Sequence, residues 1–205
     1  PKAQQLASEG ITVVKGDVTD KSTLIEPMQG TDVVFHLAAR VSGVAVPRED
    51  FLRTNVRGTR TLLESCGRAT QPPFVVLVSS VSVYGEGTPS GVVLTEASPV
   101  FPEKGYPESK KKAEELLLDR TSNVPGCIIR PSLFFDKGDG RNLASLAGLV
   151  RATHLIPHVG EPESLRSLTH VSTVVSALLA AADARPNGEI FIVTDPAPLQ
   201  TSAIC

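Results

Sequence analysis

Nothing in this 205-residue sequence is apolar for long enough to cross a bilayer: no run approaches the roughly 18 residues that a spanning helix requires. An excess of charge of one sign is lacking too. Lys and Arg number 20 against 22 Asp and Glu, a formal net charge of −2, so there is no electrostatic case for nucleic acid or an anionic membrane as partner. Cysteine is scarce. Cys66, Cys127 and Cys205 are odd in number and far apart, which offers neither a disulfide framework nor metal-ligand spacing. Structural roles are expected for all three, in a reducing compartment, the cytoplasm. His36, His154, His158 and His170 show no ligand pattern, so no metal is expected and structural roles are favoured for them. The N-terminus has no signal-peptide pattern and no Met. It enters a helical stretch at 2–9 without a preceding strand, which reads as a fragment or a trimmed chain.

What is present is ordinary for a globular domain. Hydrophobic residues make up 41% and charged residues 20%, enough at this length for one α/β unit with a sizeable core. Segments alternate in kind along it. A β-branched run at 11–15 precedes helical spacing at 22–28. The near-continuous apolar run at 32–39 is of the sort buried on both faces of a parallel sheet. A helix is expected at 51–69, where Val56, Thr59, Leu62, Leu63 and Cys66 recur at three- and four-residue spacings. Buried-strand patterns follow at 74–78 and 127–130, separated by a Gly-, Pro- and Ser-rich loop at 85–105 and a helix at 107–119. A helix at 171–182, capped by Ser172 or Thr173, and a strand at 188–193 come last. Such alternation implies β-α-β crossovers and a parallel sheet with helices on both faces.

Two stretches carry chemistry. In GYPESKKKAEE, residues 105–115, Tyr106 and Lys110 are four apart and share one face of a helix. A neighbouring ammonium favours a phenolate, and a tyrosine so tuned can exchange a proton with a hydroxyl or carbonyl oxygen. The same residues also suit a surface helix with a basic run. In VLVSSVSVYG, residues 76–85, Ser79 and Ser80 follow a buried strand at its carboxyl end, where parallel α/β folds bind ligands. Either serine also suits a turn that needs a hydroxyl for its backbone.

Together and in this order, the two stretches resemble the extended short-chain dehydrogenases/reductases. That group includes nucleotide-sugar epimerases and dehydratases and enzymes like 3β-hydroxysteroid dehydrogenase. The resemblance implies a Rossmann-like doubly wound parallel sheet and a cofactor, NAD or NADP. It implies Ser80, four residues before Tyr84, as the catalytic hydroxyl, Tyr106 as acid/base, and Lys110 as its partner and a contact to the nicotinamide ribose. Further motifs extend it over about residues 11–193. GDVTD at 16–20 implies Asp17 and Val18 beside the adenine, and HLAA at 36–39 implies Leu37, Ala38 and Ala39 along the ribose and pyrophosphate. TNVRGT at 54–59 supplies Asn55 as a cofactor-side asparagine; IIRPS at 128–132 places Pro131 and Ser132 near the carboxamide, with Ser79 also on the cofactor side. LTHVSTVVSALL at 168–179 matches a late helix. Each keeps a plainer role open: Asp17 as a turn cap, Ala38 and Ala39 as packing, Asn55 as a hydrogen-bonder at a helix N-terminus.

The Gly-rich turn GxxGxxG that opens the family is not matched anywhere. The first β-α-β unit is therefore expected to be missing, and with it the residue that selects NAD or NADP. Residues 132–205 are expected to contribute part of a small C-terminal substrate lobe on an otherwise incomplete NAD(P)-binding domain, 1–205. In the late helix Ser172 or Thr173 stands where the family has aspartate, and FFDKGD at 134–139 replaces a YGPGD-like stretch. Val81 and Ser82 stand where the family's dehydratases carry an Asp-Glu pair. The expectation is an oxidoreductase acting on a secondary alcohol or ketone of a small molecule, with a homodimer open. A nucleotide-sugar epimerase is the alternative enzyme, and a non-catalytic dinucleotide sensor or scaffold the alternative of another class.

Overall fold

The computed structural model describes residues 2–41, 46–85, 92–119, 121–136 and 165–200. Its centre is a parallel four-stranded sheet of β1 (Val33–His36), β2 (Phe74–Val78), β3 (Gly126–Pro131) and β7 (Ile190–Val193), in the order β1-β2-β3-β7. The apolar runs explain this placement. Phe74, Val75, Val76 and Leu77 of β2 and every residue of β3 are buried, as expected of central parallel strands covered on both faces.

Strand alternation splits these side chains between two cores. Val75, Leu77 and Ile128 meet Leu62, Leu63 and Cys66 of α3 (Gly58–Cys66) and Ala113 and Leu117 of α4 (Tyr106–Leu118). Phe74, Val76, Cys127, Ile129 and Val193 meet Val174, Leu178 and Ala181 of α5 (Val171–Ala184) on the other face. Burying each such Leu, Ile or Val side chain is worth about 1.5–3 kcal/mol. The sheet is thus doubly wound, as the alternation implied.

The smaller elements are α1 (Lys2–Ser8), α2 (Arg48–Phe51), β4 (Leu133–Phe135), β5 (Leu165–Arg166), β6 (Leu168–His170) and β8 (Leu199–Gln200). β4 pairs in parallel with β6, and β5 pairs antiparallel with β8. Among the described residues no helix is long and apolar enough to cross a membrane.

Four expectations need correction. Residues 11–15 form no strand; Ile11, Val13 and Val14 are exposed, because a β-branched run becomes a strand only where a neighbour supplies a ladder. Residues 22–28 give only a 3-10 turn, Lys21–Thr23, and further turns, since Pro27 has no N–H to extend the helix. The helix expected at 51–69 begins earlier, in α2, and reaches α3 through a π-helical turn, Leu52–Arg57. The cap of α5 is His170, whose side chain accepts from Ser172 N, rather than Ser172 or Thr173. His154, His158, Cys205 and part of the 134–139 stretch lie outside the described residues.

Candidate active site

β2 ends at Val78, and the chain passes through Ser79 and Ser80 into a 3-10 turn, Val81–Tyr84. Ser80 caps that turn, its oxygen accepting from Ser82 N at 3.1 Å. Facing it, Gly105 swings the backbone into α4 at φ +98°, a conformation that a side-chain-bearing residue rarely adopts. Tyr106 is therefore the first residue of α4, and Lys110 lies one turn on along the same face. The Tyr106 phenol comes within reach of the Ser80 hydroxyl, and its ring meets Phe51 edge to face at 6.2 Å. The three residues expected to carry catalysis are thereby brought together.

Their electrostatics differ from the expectation. Burial pushes the Tyr106 phenol up from its ordinary value, and the Ser80 hydrogen bond opposes that rise. Lys110 is only 4% exposed; burial pushes it down to about 8, against the attraction of Glu114. An ammonium was expected to favour the phenolate, but withdrawal from water penalises the charged form of both groups, and for the phenol that effect is the larger.

The residues assigned to the cofactor divide into two sets. Asp17, Val18, Leu37 and Ala38 line an open hollow of about 320 Å³ at the carboxyl end of β1, together with His36 and Leu62. Asp17 Oδ1 accepts from Thr19 N at 2.8 Å and Thr19 Oγ1 at 2.7 Å, bonds that hold this exposed carboxylate below its ordinary value. It therefore does cap its turn. Val18 lies under Gly58, where a Cβ would come within 2.7 Å of its Cγ1, so α3 depends on glycine for its approach to this corner. Ala39, next in the chain after Ala38, is half-buried.

In the second set the polar groups are already taken. Asn55 lies inside the π-helical turn, 1% exposed. Its Oδ1 accepts from Arg40 N at 2.7 Å, and its Nδ2 donates to Arg40 O at 3.0 Å and Ser109 Oγ at 2.8 Å. It ties the loop after β1 to α4. Its plainer role, a hydrogen-bonder at a helix N-terminus, is not what the structure places there. Ser79 Oγ is buried and donates to Glu114 Oε1 at 2.5 Å, so of the two serines only Ser80 faces Tyr106. Alternation along β2 carries the signal: 75, 77 and 79 share one face. Pro131 ends β3, and Ser132 shares a hydrogen bond with Thr169 Oγ1 at 2.5 Å; both are buried.

Sequence reasoning missed a buried pair behind the serines. Arg130 Nε and Nη2 donate to Glu114 Oε1 and Oε2 at 2.9 and 2.7 Å, and Arg130 Nη1 donates to Tyr84 Oη at 2.7 Å. His36, for which a structural role was expected, is buried. Its Nε2 lies 2.8 Å from Thr59 Oγ1, and burial, with the nearby Lys110 charge, lowers it to about 4. Cys66 and Cys127 are free and buried, which raises both thiols to about 11.

A family model described as "NAD dependent epimerase/dehydratase family" matches residues 1–194. The chain belongs to this family. A 4-hydroxy-2-methyl-3-oxo-4-farnesyl-3,4-dihydroquinoline-1-oxide ketoreductase of Stigmatella aurantiaca is 34% identical over 203 residues, 97% of this chain and 59% of the relative. A UDP-glucose 4-epimerase of Vibrio cholerae is 28% identical over 201 residues, 95% of this chain and 61% of the relative. The chain therefore spans less than two thirds of the length of either curated relative. A solved UDP-glucuronic acid 4-epimerase of Bacillus cereus, in complex with NAD, gives a TM-score of 0.79 at 22% identity, covering 97% of this chain and 66% of its own, a likeness of fold alone. Family membership places the chain in the extended short-chain dehydrogenase/reductase group, as its motif order implied.

Proposed function

We propose that this chain is the larger part of an NAD(P)-dependent oxidoreductase acting on a secondary alcohol or ketone. The observation that carries the reading is the meeting of Ser80 and Tyr106, on separate elements, at the carboxyl end of β2, with Lys110 one helical turn away. The donor set at the hollow fits the cofactor. Val18, Leu37 and Ala38 offer apolar surface for a flat heteroaromatic ring, and the exposed Asp17 carboxylate accepts from an amino or hydroxyl group at its edge. Pro131 and Ser132 would border the carboxamide. When bound, the dinucleotide supplies the hydride acceptor or donor.

The chain's own residues handle the proton. In the oxidative direction the Tyr106 phenolate, stabilised by the Lys110 ammonium, takes the substrate's hydroxyl proton at Oη and becomes the phenol, while Ser80 Oγ orients the reacting oxygen. Asn55 acts at one remove, holding the loop that carries Leu37 to Ala39. To the same reading belong a small-molecule substrate, part of whose lobe lies in 132–205, a cytoplasmic setting and a homodimer.

Tyr106→Phe keeps the ring and loses only the titrating hydroxyl. Oxidation of NADH or NADPH by a 3-ketosteroid or a cyclic ketone is expected to fall at least about a hundredfold, with cofactor affinity nearly intact. Activity within a few-fold of wild type would sink the assignment. The epimerase reading, favoured by the Vibrio cholerae relative, is tested in parallel: interconversion of UDP-glucose and UDP-galactose with bound NAD, and no net reduction of ketones, would put it first.

A further inference from the structure

Glu114 and Arg130 are 0% and 2% exposed. Withdrawing two charges from water offsets most of the attraction between them, so a buried pair of this kind contributes little net stability. What it supplies is direction, and its remaining hydrogen bonds show where that direction goes. Glu114 Oε1 accepts from Ser79 Oγ at 2.5 Å. Arg130 Nη1 donates to Tyr84 Oη at 2.7 Å, with the guanidinium carbon 4.9 Å from the centre of the Tyr84 ring. Ser79 and Tyr84 bound the turn that carries Ser80, one on each side.

We propose that Glu114 and Arg130 are positioning residues that grip this turn at both ends and set the Ser80 hydroxyl against Tyr106. Glu114 stands one turn beyond Lys110 on α4, the helix that also carries Tyr106. Arg130 belongs to β3, hydrogen-bonded along its length to β2. The clamp therefore joins the three elements whose relative seating determines the distance from Ser80 to Tyr106. Neither residue touches the reacting atoms. The inference rests on the hydride-transfer reading for its consequence, and the alignment itself can be measured without turnover.

The chain contains two tyrosines and no tryptophan, so ultraviolet titration resolves its phenols, and Tyr84→Phe leaves Tyr106 as the only one. That substitution keeps the ring, changes no charge and removes only the hydroxyl that Arg130 holds. Tyr106, assigned in the wild type by its loss in Tyr106→Phe, is expected to ionise at higher pH in Tyr84→Phe, because the Ser80 hydrogen bond that opposes its burial is loosened. Ser80→Ala marks the full shift, and Tyr84→Phe is expected to reach about half of it or more. Ser79→Ala, which releases the other end, should move the same phenol the same way. It carries the test if Tyr84→Phe does not melt cooperatively. A Tyr106 phenol that titrates as in wild type in the folded variants overturns the proposal. Wild-type turnover in Tyr106→Phe would instead sink the hydride-transfer reading and leave this titration standing.

Discussion

At Lys110 two demands meet on one side chain. Its ammonium is packed away from water and lowered to about 8 from 10.5, yet the proposed chemistry needs that charge beside Tyr106. A native pKa below the unfolded one means the folded chain carries a penalty that is full below pH 8 and disappears as pH rises toward 10.5. Lys110→Met removes the penalty and keeps the packing. We expect it to melt higher than wild type at pH 7, by up to roughly 3 kcal/mol at about 1.4 kcal/mol per pH unit. That gain should fade between pH 8 and 10.5. Turnover and affinity for NAD or NADP should fall together, as the ribose contact expected of Lys110 requires. An unchanged cofactor dissociation constant would remove the ribose role, and a lower melting temperature would show that the Glu114 attraction outweighs burial.

Among the elements, the helix running from α2 to α3 carries the least regular backbone. A π-helical turn inserts an extra residue per turn, a device that often marks functional sites, and here it turns Asn55 toward the loop after β1. Because Asn55 uses its acceptor and both donors on Arg40 and Ser109, no smaller side chain replaces it. Asn55→Ala leaves the backbone groups of Arg40 without those partners and is expected to destabilise the fold by about 1–3 kcal/mol. Amide exchange should quicken at 37–41 more than in β2 or β3. Uniform exchange across the sheet would show that Asn55 stabilises the whole chain without holding that loop.

At the scale of the molecule, acid should weaken the fold through His36. The ring is 3% exposed and neutral in the native state, lowered to about 4 from 6.5 by burial and by the charge of Lys110. Stability from a depressed native pKa is complete above the unfolded value and is lost as pH falls toward the native one. Urea unfolding should therefore lose on the order of 3 kcal/mol between pH 6.5 and 4. His36→Gln, which keeps an amide within reach of Thr59, should flatten that slope. A slope that persists in the variant would assign the acid sensitivity to other groups; Glu108, which Arg48 first and Lys112 after it hold at about 2, adds its own loss only lower, as pH falls from 4.5 toward 2.

The amino-acid sequence by itself determined the periodic parts of this protein. The runs at β2 and β3 could be read as buried on both faces because a covered parallel strand leaves few positions for polar residues. The four-residue spacing of Tyr106 and Lys110 assigned them one helix face before any fold was known. Tertiary structure decided everything that depends on a neighbour. Residues 11–15 have the composition of a strand and form none, since a ladder is a property of two segments. Which serine meets Tyr106, and which is spent on Glu114, follows from how α4 seats against β2. Glu114 falls in a helix with a basic run and Arg130 in a buried-strand run, and nothing in their spacing joins them. Only the packing of α4 on β3 removes both from water and obliges them to pair, because a buried charge without a partner costs several kcal/mol.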